Sequence, residues 1–71
     1  MAESVTAPMV GKVLQVSCKV GDKVEENQTL LLLEAMKMEI PVVAPVAGSI
    51  KEIKVKAGET VESDTVLAII E

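Results

Sequence analysis

Lys37 is the residue of this chain whose chemistry another molecule could use. It lies in the run Glu34-Ala35-Met36-Lys37-Met38, with a methionine on each side. A lysine amine can be acylated, but at neutral pH almost all of it is protonated and unreactive. A separate enzyme would therefore have to deprotonate the amine and deliver the acyl group. Met36 and Met38 are flexible apolar side chains that could form a small recognition surface beside the amine.

Other reactive arrangements are missing from the sequence. There is no histidine, and Cys18 is the only cysteine, so no Ser–His pair, Cys–His pair or zinc site can form. Cys18 alternates with valines and is expected to be a small core residue. The four glycines are isolated from one another, so they build no phosphate-binding loop and are expected at turns and bulges. We therefore do not expect the chain to be an enzyme.

Composition predicts the fold class and excludes several partners. The apolar residues include twelve Val, six Leu and five Ile but no aromatic residue, which favours an all-β fold. Eleven acidic residues stand against seven lysines, and no basic patch suggests nucleic acid. No apolar run is long enough to span a membrane, and no signal peptide is visible. A single cysteine fits a reducing compartment, and we expect the cytoplasm, with a mitochondrial or plastid matrix left open.

The chain contains an internal repeat. Shifted by 37 residues, the sequence aligns with itself without a gap, and nine of 28 aligned positions are identical. The identical pairs are Ala7/Ala44, Pro8/Pro45, Gly11/Gly48, Lys19/Lys56, Gly21/Gly58, Val24/Val61, Glu25/Glu62, Leu30/Leu67 and Glu34/Glu71. Each half has too little apolar surface to fold alone, so residues 1–71 are expected to form one domain. Two half-sheets that face each other across a pseudo-twofold axis would make a sandwich or flattened barrel.

Four segments carry the strand pattern most clearly. Residues 11–18 and 48–56 alternate, with Val16, Cys18 and Val20 in one set, as in a half-buried strand. Residues 30–34 and 66–70 are continuous apolar runs, expected to be buried strands, although periodicity alone also allows a short helix.

Shorter features complete the predicted pattern. Val13 and Ile50 are out of phase with the residues that follow them, so we predict a β-bulge or bend near residues 14–15 and 51–52. Short strands are expected around Val5, Val24, Val42 and Val61. Turns are expected at residues 21–22 and 58–59, and proline makes residues 7–8 and 44–45 connections.

Residues 35–39 have no partner in the repeat, because they join its two halves. A shift of 37 residues takes this joint to the region of the chain ends, so it is expected at the end of the domain opposite the termini. We predict a hairpin with a two-residue turn at Met36 and Lys37, which would require positive φ at residues that tolerate it poorly. A longer, unstrained turn is the alternative. In isolation paired methionines would be core residues, but at a tight tip both cannot easily be buried.

This joint resembles the attachment motif of the biotin carboxyl carrier family. The resemblance rests on Glu34-Ala35-Met36-Lys37-Met38 between two half-repeats and covers essentially the whole chain. It implies a flattened β-barrel of two four-stranded antiparallel sheets, with covalent biotin on Lys37 at an exposed hairpin. It also implies that Ala35, Met36 and Met38 adjoin the cofactor.

The resemblance further implies a non-catalytic carrier with a swinging arm. A biotin protein ligase would attach biotin, and the arm would carry a carboxyl group between a biotin carboxylase and a carboxyltransferase or decarboxylase. Bacterial acetyl-CoA carboxylase carriers have a loop inserted in the first half, which these ungapped halves lack. The chain therefore looks more like the carriers of enzymes that act on pyruvate, propionyl-CoA or methylmalonyl-CoA.

Two other functions remain open from the sequence. Lipoyl carriers of 2-oxo acid dehydrogenases share the architecture but usually have Asp-Lys-Ala at the tip, whereas Lys37 here has methionine neighbours. An unmodified β-sandwich that serves as an interaction module is the second alternative.

Overall fold

The chain folds into eight β-strands, and the apolar runs at residues 30–34 and 66–70 are strands rather than helices. The computed structural model describes residues 2–71. The strands are β1 (Glu3–Thr6), β2 (Gly11–Val16), β3 (Lys23–Val24), β4 (Thr29–Ala35), β5 (Met38–Val43), β6 (Gly48–Ile53), β7 (Thr60–Val61) and β8 (Val66–Ile70). Within this described range there is no helix, and hence none able to cross a membrane. The short strands predicted around Val5, Val24, Val42 and Val61 are all present.

The strands form two four-stranded antiparallel sheets. One sheet has the order β1-β8-β6-β3 and the other β5-β4-β2-β7. A shift of 37 residues exchanges β1 with β5, β2 with β6, β3 with β7 and β4 with β8, so it converts one order into the other. The expected architecture and pseudo-twofold symmetry are therefore confirmed. The expectation of one half-sheet per repeat is wrong, because each sheet takes two strands from each half.

The bulges predicted from the phase of the apolar residues are also present. The pairing of β2 with β4 shifts between Val13 and Gln15, and that of β6 with β8 shifts between Ile50 and Glu52. Each bulge inserts one extra residue and lets Val13 and Ile50 point into the core. β2 and β6 end earlier than predicted, at Val16 and Ile53.

Beyond β2, the predicted alternation fails at Val20. Cys18 is half-buried and packs against the core, but Val20 is exposed. The chain turns at Gly21 (φ 97°), whose amide donates a hydrogen bond to the Ile50 carbonyl of the other sheet. Because the backbone is already leaving its sheet there, Val20 has no inner face to occupy.

The turns of the two halves are stabilised by the same hydrogen bonds. The Lys19 amide donates to the Asp22 carboxylate, and the Lys56 amide donates to the Glu59 carboxylate, both at 3.0 Å. Gly58 has the same positive φ as Gly21. Gly21 and Gly58 therefore lie at the predicted turns, where a residue with a side chain would be strained.

Gly11 and Gly48 have a different purpose, and their expected place at turns or bulges is wrong. Both begin strands. A Cβ atom on Gly11 would lie 2.8 Å from the Glu34 carbonyl oxygen, and one on Gly48 would lie 2.7 Å from Cγ2 of Ile70. These glycines allow neighbouring strands to approach closely.

The core lies between the two sheets and repeats the symmetry of the chain. It contains fifteen buried apolar residues, of which fourteen form seven symmetry-related pairs. The pairs are Val5/Val42, Ala7/Ala44, Val13/Ile50, Val24/Val61, Leu30/Leu67, Leu31/Ala68 and Leu33/Ile70. The fifteenth, Val55, has half-buried Cys18 as its mate. No polar or charged side chain of residues 2–71 is buried, so the core is held by apolar contacts.

The joint and the termini lie at opposite ends of the molecule, as predicted. β2 begins at Gly11 beside Glu34 and Ala35, and its chain continues to Gly21 beside Ile50. Ile50 pairs with Ile70, which also pairs with Glu3. β2 and the segment after it therefore run from the joint toward the end that holds Glu3 and Ile70, along a molecule whose long axis is 32 Å.

Gly48→Ala should destabilise the fold without touching the joint. The added methyl group would clash with Ile70 and with the Glu71 carbonyl oxygen, 2.9 Å away, so β6 must move. We expect a loss of about 1–3 kcal/mol in the free energy of unfolding, measured by urea titration. Ser63→Ala, at an exposed turn, is the control and should change it by less than about 0.5 kcal/mol. Equal midpoints for the two variants would contradict the close approach.

Candidate functional site

The joint between the two repeats is a tight β-hairpin. β4 and β5 pair from Thr29 with Val43 up to Ala35 with Met38. Met36 and Lys37 form the two-residue turn that connects them. The apolar residues of β4 hold this hairpin on the core, since Leu31 and Leu33 are almost completely buried. The tip is therefore a short projection on a rigid base.

The backbone of the tip is strained, as predicted for a two-residue turn. Six residues of the described chain have positive φ. Four are Gly21, Gly58, Asn27 and Asp64, which are residue types that tolerate this conformation. The other two are Met36 at 54° and Lys37 at 63°, each at a cost of about 1 kcal/mol. The longer, unstrained turn is thus excluded, and both side chains occupy positions where local stability would favour Asn or Gly.

The tip brings three of the four predicted site residues together at the surface. Lys37 is exposed, and Met36 and Met38 are 86% and 63% exposed, so neither methionine is a core residue. Ala35 is different, because it is buried at the base of the hairpin, where Gly11 approaches it closely. It therefore supports the hairpin from within.

The charges nearest the tip are carboxylates. Glu34 and Glu39 are paired across β4 and β5, and both are exposed. Lys12 of β2 pairs with Glu34 on its other side. The ion pairs of residues 2–71 join Lys51 to Glu71 and Lys54 to Glu52, so none of them holds the Lys37 amine. The amine is thus free to be approached by another protein.

The site is a projection and not a pocket. A surface cleft of about 410 Å³ lies at the end that holds the termini. Its lining residues are Lys23, Val24, Glu25, Gln28, Gly48 and Ser49. A group attached to Lys37 would extend from the opposite end into solvent, and a partner would have to supply the enclosed site.

Cys18 behaves as a core residue. Burial raises the pKa of its thiol, and the nearby Asp22 carboxylate raises it further. Both effects disfavour the thiolate, which is the reactive form. The Cys18 thiol is therefore not a candidate for the reactive group of the domain.

Comparisons with known proteins agree on one class. Methylmalonyl-CoA decarboxylase subunit gamma from Propionigenium modestum is 61% identical over 36 residues, which are 51% of this chain and 27% of that subunit. The biotinylated protein TB7.3 homolog of Mycolicibacterium smegmatis is 56% identical over 43 residues, 61% of each protein. These matches thus cover less than two thirds of the relatives' own lengths.

A solved structure extends the similarity to the whole fold. The urea carboxylase of Kluyveromyces lactis contains a region that superposes on all of this chain with a TM-score of 0.94 and 32% identity. That region is 6% of the urea carboxylase chain. A family profile described as "Biotin-requiring enzyme" matches residues 3–70. The chain therefore belongs to this family, as a non-catalytic biotin carboxyl carrier domain that requires covalently attached biotin.

Proposed function

We propose that Lys37 carries the biotin through an amide bond to its side-chain nitrogen. The observation that carries the proposal is the turn at Met36 and Lys37, where two residues adopt positive φ although their types disfavour it. Since the same fold uses Gly, Asn and Asp at its other such positions, the choice at the tip favours side-chain chemistry over local stability. Lys37 alone in this turn has an amine that can be acylated.

The residues of the hairpin supply placement for this reaction. Leu31 and Leu33 anchor β4 in the core, and the two-residue turn fixes the direction in which the Lys37 side chain leaves the domain. A ligase that holds an activated biotin carboxyl group therefore meets an exposed amine on a rigid support. When attached, biotin supplies a ring that accepts and releases a carboxyl group.

We further propose three enzymatic partners: a biotin protein ligase, a biotin carboxylase, and a carboxyltransferase or decarboxylase. The tip is opposite the termini, so further chain at either end would leave Lys37 free to visit two active sites. A short flexible tether would hold the carrier at a local concentration on the order of millimolar. We place the domain in the cytoplasm, because its half-buried cysteine is unpaired.

A lipoyl group is the competing modification. The biotin requirement of the family and the biotinylated relatives support biotin instead. Intact mass after expression with both a biotin ligase and a lipoyl ligase distinguishes the two groups. An unmodified chain would support the simple interaction module.

Lys37→Arg should abolish the biotin adduct and leave the fold intact, because arginine keeps the charge but has no acylatable amine. Intact mass and streptavidin blotting measure incorporation, and circular dichroism verifies folding. Lys12→Arg is the matched control, since Lys12 is also exposed and pairs with the base of the hairpin. It should be fully labelled. Persistent labelling of the Lys37 variant would disprove the assignment.

The double substitution Met36→Lys with Lys37→Met moves the lysine by one position and should reduce the rate of biotinylation at least tenfold. Successive residues of a hairpin point in different directions, so the amine would leave the turn at the wrong angle. The rate of incorporation by a purified ligase is the measurement. A rate equal to that of the natural sequence would mean that the ligase reads any exposed lysine in this region.

Met36→Leu and Met38→Leu should still be biotinylated but should transfer the carboxyl group more slowly. Both side chains are exposed, so the swaps should cost less than about 1.5 kcal/mol and preserve the hairpin. Adaptable thioethers suit docking to two different active sites better than a branched side chain does. Fully biotinylated variants, verified by mass, are assayed in both half-reactions. Natural rates in both would show that the methionines only shape the tip.

A further inference from the structure

Six large apolar side chains of the described residues are exposed, namely Met9, Val10, Val20, Met36, Met38 and Val43. Two of them lie away from the tip, because Val20 precedes Gly21 at the other end and Val43 pairs with Thr29 at the far end of the hairpin. Met36 and Met38 flank Lys37. Met9 and Val10 come from a different segment, the connection that leads into β2, and Val10 is 61% exposed.

The fold brings this segment to the base of the tip. Val10 is bonded to Gly11, which approaches so closely that a Cβ there would lie 2.8 Å from the Glu34 carbonyl oxygen and 3.5 Å from Cβ of Ala35. The next residue, Lys12, pairs with Glu34. Met9 and Val10 are therefore the neighbours of the hairpin on the side of β2, although 25 residues lie between Val10 and Met36 in sequence.

The repeat shows that packing does not require these side chains. The symmetry mates of Met9 and Val10 are Val46 and Ala47, which lead into Gly48 at the other end. Val46 is partly buried against the core. Met9 is larger and 37% exposed, and Val10 replaces an alanine. The same backbone position thus carries more exposed apolar surface only where it adjoins the tip.

A ligase also needs more surface than the tip offers. Even weak, transient complexes bury several hundred Å² on each partner. A two-residue turn cannot supply this area alone, so the partner must contact adjacent segments. Met9 and Val10 supply exposed apolar surface in the segment that reaches the base of this hairpin.

We propose that Met9 and Val10 are part of the surface by which the biotin protein ligase binds this domain. The complementary ligase surface is an apolar patch against these two side chains, flanked by basic groups that face Glu34 and Glu39. This inference rests on the proposed function of Lys37, because it concerns the partner of that same site.

The test is the rate of biotinylation of Val10→Ser by a purified biotin protein ligase, as a function of apo-domain concentration. We expect KM to rise about five- to tenfold and kcat to stay within about twofold, since the lost contact is binding surface that takes no part in the reaction of the amine. Val10→Ile keeps the apolar surface and should retain the natural KM. Circular dichroism verifies that each variant is folded.

The chain offers a matched control in Val20→Ser. Val20 is 62% exposed and also precedes a glycine, but that glycine binds Ile50 at the end with the termini. Its KM should stay within about twofold of the natural value. Equal KM values for the Val10 and Val20 variants would overturn the inference. Failure of the natural sequence to be labelled at Lys37 would instead overturn the proposed function.

Discussion

Burial of one symmetric apolar core is the constraint on which the other features of this domain depend. In 71 residues without a disulfide, no stabilising cross-link is available within the chain, so the interior must be completely apolar and closely packed. The two halves meet this requirement by exchanging strands, and each sheet contains strands from both. Neither half can therefore unfold by itself without removing strands from both sheets. This interleaving makes a very small domain cooperative.

The core allows the tip to be strained. Two residues at positive φ together cost about 2 kcal/mol. An isolated hairpin of this length would open its turn and so remove the strain. Here β4 cannot shift, because Leu31 and Leu33 are buried and its other edge pairs with β2. The strain is thus imposed by the core on a turn whose side chains were selected for another purpose. This suits the proposed role of Lys37, since a fixed turn would present its side chain in one direction to every partner.

Much of this structure could be predicted from the sequence, because the repeat allows each residue to be compared with its symmetry mate. The out-of-phase pair Val13 and Ile50 predicted both bulges, and the unpaired joint predicted the strained hairpin. Strand exchange between halves could not be predicted, because periodicity assigns a residue to a strand face and says nothing about which sheet that strand joins. The close approaches at Gly11 and Gly48 and the exposure of Val20 likewise depend on contacts between segments distant in sequence.

The position of Met9 and Val10 beside the tip could not be predicted from the sequence for the same reason. Once the fold is known, however, the repeat becomes a measure of function, because packing acts alike on both halves. Positions where the mates agree, such as Leu30 and Leu67, serve the core. Where mates differ in an exposed side chain, as Val10 and Ala47 do, packing does not account for the difference, but Val20 and Ala57 differ in the same way at a distance from the tip. The proposed binding surface therefore rests on two features together, the departure from symmetry at Val10 and its place at the base of the hairpin, while the symmetric core is the scaffold that holds that hairpin in position.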